Sequence, residues 1–427
     1  MQSETPNRIV IAGGGIGGLA TAIGLAQKGI ASVVLERARE MGEIGAGIQL
    51  GPNAFHAFDT LGVGDQARAM AVYIDNLRLM DALTAEEITR IPLGEDFRAR
   101  FGNPYAVVHR GELHRVFLTA CQAHPLVELR TSAGVSGYDQ GPGWAEAVLE
   151  SGERVRGLAL IGADGLWSKI RAQMLGDGAP RVSGHTTYRS VIPVEEMPED
   201  LRWNAATLWA GPKCHIVHYP LSGWKLFNLV VTYHNDAPEP VAGQPVSHEE
   251  VRKGFEHVHP AARQIIDKGQ DWKLWVLCDR DPAMGWTEGR VALLGDAAHP
   301  MLQYLAQGAC MAMEDAVRLA HELGAVAADL PEALPSALIR YQDARRLRTA
   351  RVQLQSRAVG EHVYHPAGAH AALRNHVMQS RPPEGWYDQI AWLYGSTGLE
   401  GAVSSETCAA GRPAATFDSA PQKAVAI

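Results

Sequence analysis

Three groups of residues have types and spacings suited to chemistry. The first is Gly13-Gly14-Gly15-Ile16-Gly17-Gly18, in which Gly13, Gly15 and Gly18 satisfy G-x-G-x-x-G. The first glycine permits a tight turn, the second lets a pyrophosphate approach the backbone, and the third lets the following helix pack on the preceding strand. Glu36 stands at the end of the next β-rich run, where a carboxylate can hold ribose hydroxyls. The pattern predicts an adenine dinucleotide site and leaves FAD or NAD open. The second group is Asp164-Gly165 and Gly295-Asp296. Each carboxylate follows an apolar strand, where open α/β sheets bind their ligands, although Asp also serves turns and helix caps. The third is Cys214-His215-Ile216-Val217-His218-Tyr219-Pro220. The strand period places His215, Val217 and Tyr219 on one face and Cys214, Ile216 and His218 on the other. His215 and His218 therefore make a poor metal pair, since they point apart and no third ligand is evident.

The elements that must carry these residues follow from periodicity. Arg8 to Ala12 is a short strand running into the glycines, Leu19 to Ala26 reads as a helix that Gly29 ends, and Ser32 to Glu36 is a second strand. Strand, glycine turn, helix and strand make a βαβ unit of a parallel sheet. Late in the chain, Arg290 to Leu294 is a strand just before the Gly295-Asp296 loop, and Gly308 to Leu323 is apolar at helical spacing. Amides opening the helix after Asp296 can stabilise an anionic ring. Between these ends, Val217 to Leu221 and Leu226 to Thr232 alternate as antiparallel strands with half-polar faces. Nucleotide-type segments thus enclose a β-rich insert centred on 183–284. There are no internal repeats, and the Ala/Pro/Ser-rich stretch from Ser404 onward is expected to be poorly ordered.

With three motifs in this order, the sequence resembles the single-component FAD-dependent aromatic hydroxylases, the class related to para-hydroxybenzoate hydroxylase and salicylate hydroxylase. The resemblance runs from about Arg8 to about Arg357 and includes Tyr341-Gln342-Asp343-Ala344-Arg345-Arg346. It implies a Rossmann-like α/β FAD-binding domain with an inserted, mainly antiparallel substrate sheet and a C-terminal helical segment. The expected division is a discontinuous FAD-binding domain of 1–75, 100–182 and 285–355, a substrate-binding domain of 76–99 and 183–284, helices over 356–403, and a flexible tail over 404–427. By the same resemblance Glu36 binds the FAD ribose, Asp164 lies near FAD and the nicotinamide nucleotide, and Asp296 contacts the ribityl chain. Arg110 falls where the family has an arginine near the flavin phosphates, and Gln49 where a family loop borders the flavin.

Chemistry of this class attacks an electron-rich ring with a peroxide formed on reduced FAD and O2. A phenol becomes richer when deprotonated, so the site needs a base beside the phenol oxygen and an apolar wall that excludes water. His215 is the candidate base, because histidine titrates near neutrality, and Tyr219 is its substrate-holding neighbour. Much of the family has proline where Gln303 stands and glycine where Ala306 stands. An amide at Gln303 can donate to a phenolate. The combination of His215, Tyr219 and Gln303 looks like the 3-hydroxybenzoate 6-hydroxylases, in which the histidine and glutamine activate the phenol and the product is 2,5-dihydroxybenzoate (gentisate). The alternatives are a salicylate 1-hydroxylase, releasing CO2 and catechol, against which Gln303 argues, and a hydroxylase of another phenolic acid. No second G-x-G-x-x-G follows a strand, as expected where the nucleotide binds transiently, and resemblance favours NADH and suggests a homodimer.

Composition sets the outer limits. The chain has 427 residues, enough for two or three domains. Hydrophobic residues at 46% and charged residues at 20% suit a globular protein, not disorder or a coiled coil. A net charge of -8 argues against nucleic-acid binding, which favours a basic surface. Five scattered cysteines without a C-x-x-C pair argue against a disulfide scaffold or zinc ribbon and for a reducing compartment. No apolar run is long enough to span a bilayer and no signal peptide precedes Ile9, so the sequence reads as soluble and cytoplasmic.

Overall fold

The computed structural model describes residues 6–42 and 46–395, with 397 and 399. The stretch expected to form a flexible tail lies outside them, as do Gly45 and Cys408. Strand Ile9–Ala12 runs into the glycine turn, helix Ile16–Gln27 follows, and strand Ser32–Leu35 returns parallel to the first. Gly29, just past the helix, has φ +74, a left-handed conformation that suits glycine. The strands are buried on both faces and therefore read as continuous apolar runs.

These two strands are the fourth and fifth of a six-stranded sheet. Its order is Thr287–Glu288, Val291–Leu293, Ala159–Gly162, Ile9–Ala12, Ser32–Leu35 and Val127–Arg130, all parallel except the first hairpin pair. The ends that carry Gly13, Asp164 and Gly295 therefore meet at one sheet edge. Helix Gly308–Gly324 packs across Ile16–Gln27, with Gly24 facing Ala320.

The second large sheet has eight strands in the order Ala242–Pro245, Lys273–Asp279, Arg181–Pro193, Leu226–His234, Cys214–Leu221, Ala205–Gly211, Asn76–Asp81 and Glu87–Pro92. Neighbours are antiparallel except Ala205–Gly211 with Asn76–Asp81. Its far face packs Trp209, Ile216, Phe227 and Val231 into a core of their own with Ile265 and Phe255. Gly47–Leu50, Ala106–His109 and Val72–Tyr73 form a small antiparallel sheet between the two large ones. Helices Leu330–Val359, Gly368–Gln379 and Pro383–Tyr394 close the far end.

One detail departs from the sequence reading. A three-stranded meander over Val135–Gly141, Trp144–Leu149 and Arg154–Gly157 had no counterpart in it. The loop read after Leu294 carries tight turns at Gly295–Ala297 and Gln303–Leu305, and the helix begins at Gly308, where the apolar spacing places it. Gly295 has φ +61, a left-handed turn that folds the chain back. A Cβ placed on Gly308 would stand 3.8 Å from Asp296 Oδ1, so the carboxylate lies beside the helix start all the same.

Candidate active site

One cavity of about 1320 Å³ runs between the two large sheets. That is larger than the usual small-ligand cleft of roughly 300–1,000 Å³ and has room for a dinucleotide and a further molecule. Gly13, Gly15, Glu36, Gln49, Arg110, Asp164 and Asp296 line one part; His215, Tyr219 and Gln303 line another.

The dinucleotide end is built from backbone. A Cβ on Gly13 would fall 2.2 Å from Ala163 O, and one on Gly18 would fall 2.0 Å from Gly13 O, so neither position admits a larger residue without backbone movement. Gly18 is thus a packing glycine and does not line the cavity. Helix Ile16–Gln27 has no side-chain N-cap, which leaves its first amides and positive dipole end facing the cavity. Helix Gly308–Gly324 is likewise uncapped by a side chain. Glu36 Oε2 accepts from Gly14 N at 2.8 Å and Oε1 from Ala38 N at 2.9 Å, which fixes the carboxylate at the rim. Asp164 Oδ2 caps the helix Lys169–Leu175, accepting from Lys169 N at 2.8 Å. Its Oδ1 is buried without a partner among the described residues, and burial raises its pKa. Asp164 is therefore a cap and also an unsatisfied acceptor at the cavity. Uncapped helix starts, a glycine cradle and an orphaned carboxylate oxygen fit a bound FAD.

The loop bordering this end is tied to the substrate sheet. Gly47 N donates to Asn228 Oδ1 at 2.7 Å, and a Cβ on Gly47 would strike the Tyr219 ring at 2.5 Å. Tyr105 OH donates to Gln49 Oε1 at 2.6 Å. Behind the Gly295 turn, Asp315 Oδ2 accepts from Gly295 N at 3.1 Å and from His299 Nε2 at 2.5 Å, and its Oδ1 from Arg345 Nε at 2.7 Å. These groups are wholly buried, and His299 with Arg345 outweigh burial to hold the Asp315 carboxyl near a pKa of about 2.

The other end presents the alternating face of Cys214–Leu221. His215 and Tyr219 are buried, 1% and 3% exposed, while Cys214 and Ile216 pack away into the far core. His218 packs there against Trp203 and Phe227. His215 Nδ1 lies 2.8 Å from His365 Nε2, with Tyr304 and Tyr364 edge-on to its ring. Burial, and to a lesser degree His365 and His185, press its pKa well below the usual histidine value. The expectation of a base titrating near neutrality is thus corrected: the imidazole rests neutral and the low-dielectric wall disfavours its cation. Gln303 Oε1 accepts from Arg189 NH2 at 2.7 Å, and Nε2 points at Thr187 and Thr232 hydroxyls, each 3.3 Å away.

Arg189 was missed by sequence reasoning. It lines the cavity beside Tyr219, its guanidinium 5.8 Å from the Trp275 ring centre, and no ion pair holds it among the described residues. Burial lowers its pKa, so the site favours an incoming anion. His185 and His365 were missed as well. The four described cysteines are free thiols, and among the described residues no group of three or more His, Cys, Asp or Glu could hold a metal ion. No described helix is long and apolar enough to cross a membrane.

A parallel sheet with a phosphate cradle at its carboxyl edge, facing a buried polar cluster on a second sheet, defines a flavoprotein hydroxylase. Residues 7–356 match the family described as FAD binding domain, and the chain belongs to that family, among the single-component FAD-dependent aromatic hydroxylases. It is 54% identical to 3-hydroxybenzoate 6-hydroxylase 1 of Aquipseudomonas alcaligenes, over 92% of this chain and 99% of that one. It is 49% identical to the 3-hydroxybenzoate 6-hydroxylase of Polaromonas naphthalenivorans (strain CJ2), over 91% and 95%. A solved salicylate hydroxylase substrate complex shares the fold at a TM-score of 0.77 and 25% identity, covering 94% of this chain and 99% of that one. HpxO of Klebsiella pneumoniae, complexed with FAD and uric acid, does so at 0.78 and 24%, covering 93% and 98%.

Proposed function

We propose that this protein uses NADH and O2 to hydroxylate 3-hydroxybenzoate para to its phenol, giving 2,5-dihydroxybenzoate. The observation that carries the reading is the meeting of His215, Tyr219, Gln303 and Arg189 at one end of the cavity, in a chain 54% identical to a 3-hydroxybenzoate 6-hydroxylase. FAD, when bound and reduced, supplies the activation of oxygen. Gly13, Gly15, Glu36, Arg110, Asp164 and Asp296 hold it, Gly18 keeps the cradle's shape, and Gln49 borders it.

The remaining residues prepare the substrate. His215, neutral at rest, accepts the phenol proton at Nε2, which raises electron density at the para carbon. Gln303, oriented by Arg189, offers its amide to the phenolate. The substrate carboxylate lies against Arg189 and the Tyr219 hydroxyl, giving the buried cation its counter-charge. Val217, Val230, Met301 and Leu302 supply the apolar wall that keeps water out.

The experiment is product identification. Purified holoenzyme receives NADH, air and either 3-hydroxybenzoate or salicylate, with NADPH in parallel, and products are separated with mass detection. Gentisate from 3-hydroxybenzoate, faster with NADH, is the expected result. Catechol from salicylate alone would refute the substrate assignment and leave the family intact.

A further inference from the structure

His215 must lose the proton it takes before the next turnover, yet the residue is almost wholly buried. Its neighbours are unusual for a core: three further imidazoles lie behind it. The His215 and His365 rings are stacked, 5.0 Å apart and 26° from parallel, with the nitrogens in hydrogen-bond contact at 2.8 Å. His185 stands edge-on to His365 at 5.1 Å and 4.3 Å from His234. His234 Nε2 pairs with Asp236 Oδ1 at 3.1 Å, and the Asp236 side chain is 78% exposed. Exposure rises along this row, from buried His215 through half-buried His365 and His185 to the surface pair.

We infer that His365 is a proton-relay residue, which accepts the phenol proton from His215 and releases it to solvent at the edge marked by His234 and Asp236. The inference rests on the reading that a phenol is the substrate. The phenol O–H bond breaks and a His215 Nε2–H bond forms. His215 Nδ1 gives up its proton and a His365 Nε2–H bond forms. His365 then loses its Nδ1 proton to solvent water. One proton leaves per phenolate formed, no electrons change hands, and the same transfers run in reverse when the product phenolate is reprotonated, which frees His215 Nε2 for the next substrate. A second buried acceptor matters because each imidazole alone is a poor resting place for charge: burial, with His185 and His234 as lesser causes, lowers His365 to about 3, and burial with His234 lowers His185 to about 4. Asp236, paired with His234, offers a carboxylate at the exposed end of the row. Tyr304 and Tyr364 border the row, and the Tyr304 hydroxyl bonds His185 Nδ1. Burial raises the pKa of both phenols, so they remain protonated spacers.

The test mixes oxidised holoenzyme with 3-hydroxybenzoate in weak buffer containing phenol red. Flavin absorbance reports binding and the dye reports the released proton. The wild type should release one proton in step with binding. His365→Gln should bind 3-hydroxybenzoate with unchanged affinity but release the proton at least tenfold more slowly, with a larger solvent isotope effect. His365→Ala should behave alike and recover on addition of imidazole, a response that a merely structural role would not give. FAD content and melting temperature check both variants. Unchanged release in either variant overturns the relay. A wild type that binds without releasing a proton overturns the relay and leaves the substrate reading standing; one that does not bind 3-hydroxybenzoate overturns both.

Discussion

Arg189→Met gives the sharpest test of how the substrate is held. The native guanidinium spends one donor on Gln303 at 2.7 Å and faces the cavity with no carboxylate of the protein to pair with among the described residues. A substrate carboxylate completes the pair with charge-assisted hydrogen bonds, each contributing about 1.5–3 kcal/mol in protein sites. One such bond corresponds to a loss of roughly 10- to 150-fold in kcat/KM, since each 1.36 kcal/mol is tenfold. Methionine keeps much of the length and removes the charge. The assay is NADH-dependent hydroxylation measured as product, with 3-hydroxybenzoate and with 3-methylphenol, which keeps the phenol and lacks the carboxylate. The variant should lose most of its kcat/KM on the acid, mainly through KM, and little on the cresol. Equal losses on both substrates would show that Arg189 only props Gln303, and no loss on the acid would remove the anchor entirely.

Three further outcomes follow from the same geometry. Gly18→Ala puts a Cβ 2.0 Å from Gly13 O, so the purified variant should carry far less FAD, read as the ratio of flavin to protein absorbance. Both His215→Ala and Gln303→Pro should keep FAD yet lose at least tenfold in coupled hydroxylation while NADH oxidation continues as peroxide release; near-normal product yield in both would overturn their roles. Acid should destabilise the fold early. Burial lowers His185 to about 4 and His218 and His365 to about 3, so the unfolded chain binds more protons than the native one from about pH 6.5 down to these values. Stability is therefore full above that window and falls as pH drops through it. Melting temperatures at pH 7, 6 and 5 should decline, and His218→Phe should flatten the decline if it folds; a flat wild-type profile would refute the argument.

The legible parts of this protein are those in which one short segment carries both the element and the chemistry. Gly13 to Glu36 declares a strand, a turn and a helix through local steric need, and those same residues make the cradle. The alternation from Cys214 to Tyr219 told which side chains face the cavity, because a strand has only two faces. What stayed hidden was assembled across distance. His185, His215, His234 and His365 come from four segments, and no spacing in the chain links them. Arg189 is a single charge in His185-Thr186-Thr187-Tyr188-Arg189, and only the pairing of its strand with Leu226–His234 shows which face it takes. The depressed titration of His215 was beyond reach for the same reason, since desolvation belongs to the surroundings, not to the residue type.

The order of strands in the six-stranded sheet also bears on how the protein is made. Ile9–Ala12 finds its inner neighbour in Ala159–Gly162, which in turn waits for Val291–Leu293. On a ribosome adding about 5–20 residues per second, the span from the end of Ala159–Gly162 to the end of Val291–Leu293 takes on the order of 7–26 s. Throughout that interval the edge of Ala159–Gly162 is a row of unpaired backbone groups, an invitation to wrong partners. FAD cannot guard it, because half of its seat has not yet been synthesised. Soluble yield in a fast-translating host should therefore depend on this window as well as on the stability of the finished enzyme.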